Sequence, residues 1–100
     1  MINLQPVSQV LAFGPGLEKD GVEINKPTQF VVDAKQGGLA ELGILIHDQW
    51  ANPIEAVIID NKDGTYNVSY IPKEPLRHTV SITWGGISIP KSPFKVRIIN

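Results

Sequence analysis

An alternation of apolar and polar residues, repeated in several short segments, limits this chain to a β-fold. Phe30, Val32 and Ala34 share one parity, and the other parity holds Gln29, Val31 and Asp33. The same period of two recurs in residues 66–70, 80–84 and 94–98. Because successive side chains of a strand point to opposite faces, each segment turns one face to a core and one to water. No stretch of ten residues combines helical periodicity with a lack of Gly and Pro, so the sequence predicts an all-β protein.

Turn-forming residues separate these segments and divide the chain into seven predicted strands. The predicted strands lie near residues 7–12, 28–34, 42–47, 54–60, 65–71, 79–84 and 94–99. Seven short strands in about 100 residues are typical of an immunoglobulin-like antiparallel β-sandwich. A chain of 100 residues also fits one domain, which we place at residues 1–100.

Two turns carry the strongest local signals. The stretch 60–65 supplies Asn61 and Gly64 where a hairpin needs positive φ. Gly85 and Gly86 predict a tight hairpin between the sixth strand and residues 87–89. In contrast, residues 14–16 (Gly-Pro-Gly) predict a turn after the first strand rather than a phosphate-binding loop, since no helix is predicted to follow and Pro lacks an N–H.

Composition excludes several classes of protein. The chain has no cysteine, so disulfide scaffolds, structural zinc sites and cysteine nucleophiles are excluded. Its 9 basic and 10 acidic residues form no run of one sign, so we expect neither nucleic acid binding nor attraction to a membrane. The longest aliphatic run, residues 56–59, is far shorter than the ~20 residues of a membrane span. With no secretory signal at the start, we expect a small soluble, intracellular domain or a piece of a longer chain.

The sequence contains few residues that are candidates for catalysis. Histidine occurs only at His47 and His78, and neither a Gly-x-Ser-x-Gly nor a His-Glu-x-x-His motif is present. We interpret both histidines as surface residues. The turn at 60–65 faintly resembles a calcium loop, but Tyr70 stands where a bidentate glutamate is required. We therefore expect no enzyme activity, no catalytic residue, no metal site and no cofactor.

The third and fourth predicted strands carry an excess of apolar residues. Residues 44–46 and 56–59 are apolar on both parities, where a half-buried strand would alternate. Leu45, Val57 and Ile59 therefore have no core face of their own. Such side chains need a partner, or they stay exposed to water.

Several motifs in this order resemble those of a filamin repeat. They are GPGL at 14–17, FVVDA at 30–34, DNKDGTY at 60–66, PKEP at 72–75 and IPKSPFKV at 89–96. The resemblance covers residues 10–99, and residues 53–56, 76–79 and 84–86 look most like a repeat from the middle of the rod. It implies a filamin (actin-binding protein 280 family) immunoglobulin-like repeat: a structural module of a cytoplasmic, cytoskeletal actin crosslinker that spaces the actin-binding and dimerisation ends. Implied partners are F-actin in the full-length protein, neighbouring repeats, and cytoplasmic tails of membrane receptors or signalling proteins.

The resemblance also implies a peptide-binding groove between the third and fourth strands. In filamin repeats a partner peptide adds as an extra strand beside the third strand. The implied site residues are Gly43, Ile44, Leu45, Ile46, Ile54, Ala56 and Ile58. Residues 47–53 are longer than the family pattern at this point. In an alternative interpretation, the inward-facing members of this set are plain core, and a neighbouring repeat covers Leu45, Val57 and Ile59.

Two other functions stay open from the sequence. The same fold occurs as the filamin-type domain of tripartite-motif ubiquitin ligases, which only the flanking sequence distinguishes from a rod repeat. An extracellular immunoglobulin-like adhesion module is the other alternative. An occupied glycan at Asn67 would favour export, but we interpret the formal sequon at 67–69 as a chance occurrence. The missing inter-sheet disulfide opposes export.

Overall fold

The computed structural model describes residues 6–99, so residues 1–5 and 100 of the predicted domain lie outside the described residues. The described part contains ten strands and two single turns of 3-10 helix, Pro6–Gln9 and Pro15–Leu17. The strands are β1 (Leu11–Phe13), β2 (Val22–Glu23), β3 (Thr28–Asp33), β4 (Leu42–His47), β5 (Pro53–Ile54), β6 (Ala56–Asp60), β7 (Thr65–Tyr70), β8 (Leu76–Trp84), β9 (Ile87–Ser88) and β10 (Phe94–Ile99).

These strands form two sheets packed face to face. The first sheet has the order β1-β3-β7-β6, and the second has the order β2-β10-β8-β4-β5, with β9 paired to β8. All pairings are antiparallel except that of β2 with β10, which is parallel. The predicted all-β immunoglobulin-like sandwich is confirmed, although the strand divisions differ.

The core lies between the sheets and follows the alternation of the sequence. The buried apolar and aromatic side chains of β3, β7, β8 and β10 are Phe30, Val32, Val68, Tyr70, Val80, Ile82, Trp84, Val96 and Ile98. The polar atoms of Tyr70 and Trp84 are satisfied by backbone carbonyls. The Tyr70 hydroxyl donates to the Gly16 oxygen at 2.7 Å, and Trp84 Nε1–H donates to the Gly37 oxygen at 2.8 Å. Burial raises the pKa of Tyr70 to about 12.

The first predicted strand, residues 7–12, is wrong in its first half. Val7 lies in the 3-10 turn Pro6–Gln9, and the Val10 N–H donates to the Val7 oxygen at 3.1 Å. Side chains three residues apart eclipse in a 3-10 helix, so Val7 and Val10 both reach the core. Pairing begins only at Leu11.

The predicted fourth strand, residues 54–60, is divided between the two sheets. Pro53 and Ile54 pair with β4 in the second sheet, whereas Ala56–Asp60 pairs with β7 in the first. Glu55 is the single residue between the two pairings. A proline has no N–H to donate and is confined to sheet edges, which fits Pro53 in β5 at the margin of its sheet.

Other strand bounds differ less. The third and seventh predicted strands match β4 and β10 at both ends, and β8 begins three residues before its predicted start. The two-residue β2 was not predicted. Its pairing with the end of β10 is supported by the Ile24 N–H, which donates to the Ile99 oxygen at 2.8 Å.

Both predicted hairpins are present, and in the turn at 60–65 the prediction is confirmed for Gly64 but wrong for Asn61. Positive φ occurs at Lys62 (66°) and Gly64 (93°), not at Asn61. Asp60 accepts the Lys62 N–H at 2.8 Å. The Asp60 side chain thus caps the turn by accepting the N–H of the residue two positions later. The positive φ falls at Lys62, one residue after the predicted Asn61.

The turn after β1 is a close approach between two backbones. Gly14 has φ 139°, and a Cβ built on it would lie 2.8 Å from the Phe30 Cα. Contrary to the sequence prediction, a helix does follow, as the single 3-10 turn Pro15–Leu17. It is too short to make an anion site.

The interpretation of both histidines as surface residues is wrong for His78. His78 is fully buried on the inner face of β8, opposite Val96, and His47 is half-buried. The alternation of Val80, Ile82 and Trp84 continues back to position 78, which places that side chain inside. Neither ring nitrogen has a hydrogen-bond partner among the described residues.

Candidate functional site

Strand β4 has one side that is only half paired. Along its whole length, Leu42–His47, it pairs with β8. On the other side β5 pairs only with Ile46 and His47. Within the described residues, positions 42–45 therefore form an open edge. An open edge is a template on which another strand can pair.

The hydrogen bonds at the two ends of β4 show which backbone groups face this open edge. The Gly85 N–H donates to the Glu41 oxygen at 2.9 Å on the β8 side. The Asp48 N–H donates to the Asn52 oxygen at 3.0 Å on the β5 side. Because the backbone groups of successive residues alternate in direction, the N–H and C=O groups of Leu42 and Ile44 point to the open side.

Apolar side chains of the inner faces are accessible beside this edge. Cross-strand partners share a face, so Ile58, which pairs with the buried Val68, belongs to the inner face of β6. It is nevertheless 45% exposed. β6 ends its sheet and lies next to β4 across the sandwich, and no strand within residues 6–99 lies between the two. We call the strip formed by the inner-face residues Leu42, Ile44, Ala56 and Ile58 of these two strands the β4–β6 groove.

The predicted site residues fall into three groups. Ile44, Ala56 and Ile58 line the β4–β6 groove, and Ile54 lies half-buried at its β5 end. Gly43 and Leu45 lie on the outer face of the second sheet, since they pair with Thr83 and Ser81 there. Ile46 is buried, and β5 pairs with its backbone.

Sequence reasoning missed Leu42, which stands at the far end of the groove. It is partly buried against the core and has the same parity as Ile44. That parity was the available signal for it. The outer position of Gly43 is tight, because a side chain there would collide with the Thr83 hydroxyl.

The turn that closes the β5 end of the groove is held by Asp48. Its carboxylate accepts the N–H groups of Trp50 and Asn52, both at 2.9 Å. Burial favours the neutral acid, but the backbone hydrogen bonds from Asn52 and Trp50 outweigh it, so the pKa of Asp48 lies below its usual range. Trp50 itself is exposed. A cavity of about 520 Å³ adjoins this end, and Ile54, Val57 and Tyr70 are among its walls.

The three apolar residues expected to lack a core face are exposed. Leu45 is 58% exposed on the second sheet, and Val57 and Ile59 are 57% and 55% exposed on the outer face of the first. This part of the sequence prediction is confirmed. That a neighbouring repeat covers them stays a prediction.

Residues 6–99 contain neither a metal-binding cluster of side chains nor a membrane-spanning helix. Among residues 6–99, no group of three His, Asp or Glu side chains is placed to hold a metal ion. None of the helices in that range is long or apolar enough to cross a bilayer.

Two packed sheets with an immunoglobulin-like strand pattern define a β-sandwich module. The Filamin/ABP280 repeat pattern matches residues 6–95. The chain therefore belongs to the filamin repeat family.

Relatives agree with this assignment, and a solved structure agrees with the fold. Filamin-C of Rattus norvegicus is 44% identical over 90% of this chain, and the match covers 3% of that protein. The E3 ubiquitin-protein ligase TRIM45 of Bos taurus is 29% identical over 97% of this chain and 18% of the ligase. The crystal structure of the Lin-41 filamin domain superposes with a TM-score of 0.80 at 16% identity, covering 93% of this chain and 94% of that one. That structural match supports the fold.

Proposed function

We propose that this chain is a scaffolding repeat in the rod of a filamin-like actin crosslinker, without catalytic activity. In this role it spaces the actin-binding and dimerisation ends of a cytoplasmic, cytoskeletal protein and contacts neighbouring repeats. The 44% identity to rat Filamin-C over 90% of the chain supports this role. So does the share of that relative covered, 3%, which is what one module of a long array occupies.

We further propose that the β4–β6 groove binds an extended segment of a partner by β-strand addition. The observation that carries this proposal is the open edge at Leu42 and Ile44 beside half-exposed apolar side chains. A strand added there gains backbone hydrogen bonds from these two residues, and its alternate side chains enter the groove beside Ala56 and Ile58. Segments of receptor tails or signalling proteins with apolar residues at every second position fit this arrangement.

Adjacent residues on opposite faces of β6 provide a matched test of the groove. Ile58→Glu places a charge in the groove, whereas Ile59→Glu places the same charge on the outer face one residue away. Both positions are about half exposed, so both variants are expected to fold. We expect Ile58→Glu to weaken binding of an extended apolar-alternating peptide by about tenfold or more, because the bound peptide would partly desolvate the new carboxylate. Ile59→Glu should change it less than twofold.

The binding measurement is a titration of the isotope-labelled chain followed by amide chemical shifts. The expected shifts lie in residues 42–46 and 54–58. If a panel of such peptides moves no amide in these two stretches, or if both glutamate variants weaken binding equally, groove binding is wrong. The rod role would survive that result, because it does not depend on an open groove.

A second candidate role has the same fold but places the domain in a different kind of protein. The alignment with TRIM45 extends over 97% of this chain, so the domain also fits as the filamin-type module of a ubiquitin ligase. The sequence flanking residues 1–100 distinguishes the two roles. Further sandwich repeats would support a rod, and RING and B-box zinc motifs would support a ligase.

A further inference from the structure

The outer face of the second sheet carries two arginines in directly opposed positions. Arg77 of β8 pairs with Arg97 of β10 in the antiparallel register. Lys95, two residues from Arg97, lies on the same face beside Thr79. The Arg97 N–H also donates to the Lys19 oxygen at 3.0 Å, which brings a fourth basic residue to the site. We call these four residues the basic face.

Nothing in the fold requires this concentration of charge. Like charges directly opposed across two strands destabilise a sheet. The nearby Asp20 compensates this repulsion only slightly. Its carboxylate lies 3.9 Å from the Arg97 guanidinium, and both side chains are 69% exposed, so water screens the attraction. Lys95 donates to the neutral Thr79 hydroxyl at 3.3 Å. Within residues 6–99, Arg77 takes part in no ion pair.

The charge is also local. The chain as a whole has a net charge of −1, yet four of its nine Lys and Arg residues line a single depression together with one acidic residue, Asp20. Two adjoining depressions, of about 320 and 370 Å³, are both lined by Arg77 and Arg97. A positive, open surface of this kind attracts anionic groups and accelerates their association at low salt.

We propose that the basic face is a docking surface for an extended, carboxylate-rich segment of a partner protein. Guanidinium groups bind carboxylates through two parallel hydrogen bonds, and the opposed Arg77 and Arg97 present two such groups side by side. At about 320 and 370 Å³ the depressions have room for Asp and Glu side chains from a segment lying across β8 and β10. Leu76 is the exposed apolar side chain in their lining, too little surface to insert into a bilayer. The basic face is separate from the β4–β6 groove, so the two proposals stand independently.

Charge reversal at Arg77 tests the basic face without weakening the fold. Arg77→Glu replaces the repulsive pair with a Glu opposite Arg97, so its thermal midpoint should equal or exceed that of the parent chain. Lys73→Glu is the matched control, because it makes the same change of charge on the segment between β7 and β8. The probe is fluorescein-labelled decaglutamate, with anisotropy measured at an ionic strength of about 20 mM, where screening is weak. We expect Arg77→Glu to bind it at least about tenfold more weakly and Lys73→Glu less than about twofold more weakly.

Other outcomes overturn the proposal. One is equal weakening by the two variants, which would mean that net charge alone governs binding. Another is no binding of the probe by the parent chain at low salt. A third is tighter binding of a phosphate-bearing probe: a phosphoserine peptide of equal charge, or vesicles rich in phosphatidylserine. The proposal is overturned if either binds the parent chain more than about tenfold more tightly than decaglutamate does, and if Arg77→Glu abolishes that binding. Such a result would assign the basic face to phosphate groups or to a membrane.

Discussion

His78 should make this fold sensitive to mild acid. Burial of the ring lowers its pKa from the usual 6.5, and the Arg77 backbone and the nearby Asp48 and Glu74 carboxylates act in the other direction without reversing the shift. Because the folded state resists protonation, the unfolded chain binds more protons below pH 6.5, and stability falls as the pH falls. Between pH 7.5 and 5.5 the loss is up to about 1.4 kcal/mol, the value for one histidine that is protonated only when unfolded.

Urea unfolding followed by tryptophan fluorescence at these two pH values measures the effect. A loss of about 1.4 kcal/mol moves the midpoint by roughly 1 M urea in a domain of this size. His78→Leu removes two unpartnered nitrogens from the core, so it should be at least as stable at pH 7.5 and should lose the pH dependence. His47→Leu is the control and should retain it. The carboxylates with lowered pKa values, Asp48 and Asp63, act only at more acid pH. If His78→Leu loses as much stability as the parent between pH 7.5 and 5.5, the reasoning is refuted.

Two further predictions concern the turn after β1. Gly14→Ala should destabilise the fold by more than the ~1–3 kcal/mol of backbone strain, because its Cβ would also collide with the Phe30 Cα. Gly21→Ala has positive φ but open space around it and should show the strain alone, so equal losses in urea unfolding would contradict the collision. Tyr70→Phe leaves the Gly16 oxygen without its 2.7 Å donor and should cost about 1–3 kcal/mol in the same assay. An unchanged unfolding midpoint would show that the hydroxyl contributes nothing.

The core of this sandwich was predictable because a period of two assigns each residue to a face. Phe30, Val32 and Val80 are buried where their parity placed them. The same rule also predicts burial of His78, because the parity of Val80 and Ile82 continues back to it. The polar residue type alone wrongly suggests a surface position. Breaks in the alternation were as informative as the alternation itself, since they marked Leu45 and Val57 as exposed.

The division of residues 54–60 between two sheets could not be predicted from the sequence. Ile54 pairs with Ile46 and Ala56 with Tyr70, and both pairings depend on segments distant in the chain. Local periodicity carries no information about which strand lies alongside. For the same reason the sequence could name apolar residues of the groove but could not show that β5 occupies the edge at Ile46.

The crossing of the chain at Glu55 has a consequence for anything that lies along β4. Because β5 already pairs with the edge of β4 from Ile46 onward, the open edge is closed at that end. A strand added to β4 can therefore pair only with the four positions 42–45. At about 3.3 Å per residue that is a footprint of roughly 13 Å. A peptide added to β4 would therefore be recognised over about four residues. Further residues beyond the closed end would add no backbone pairing and no affinity from this edge.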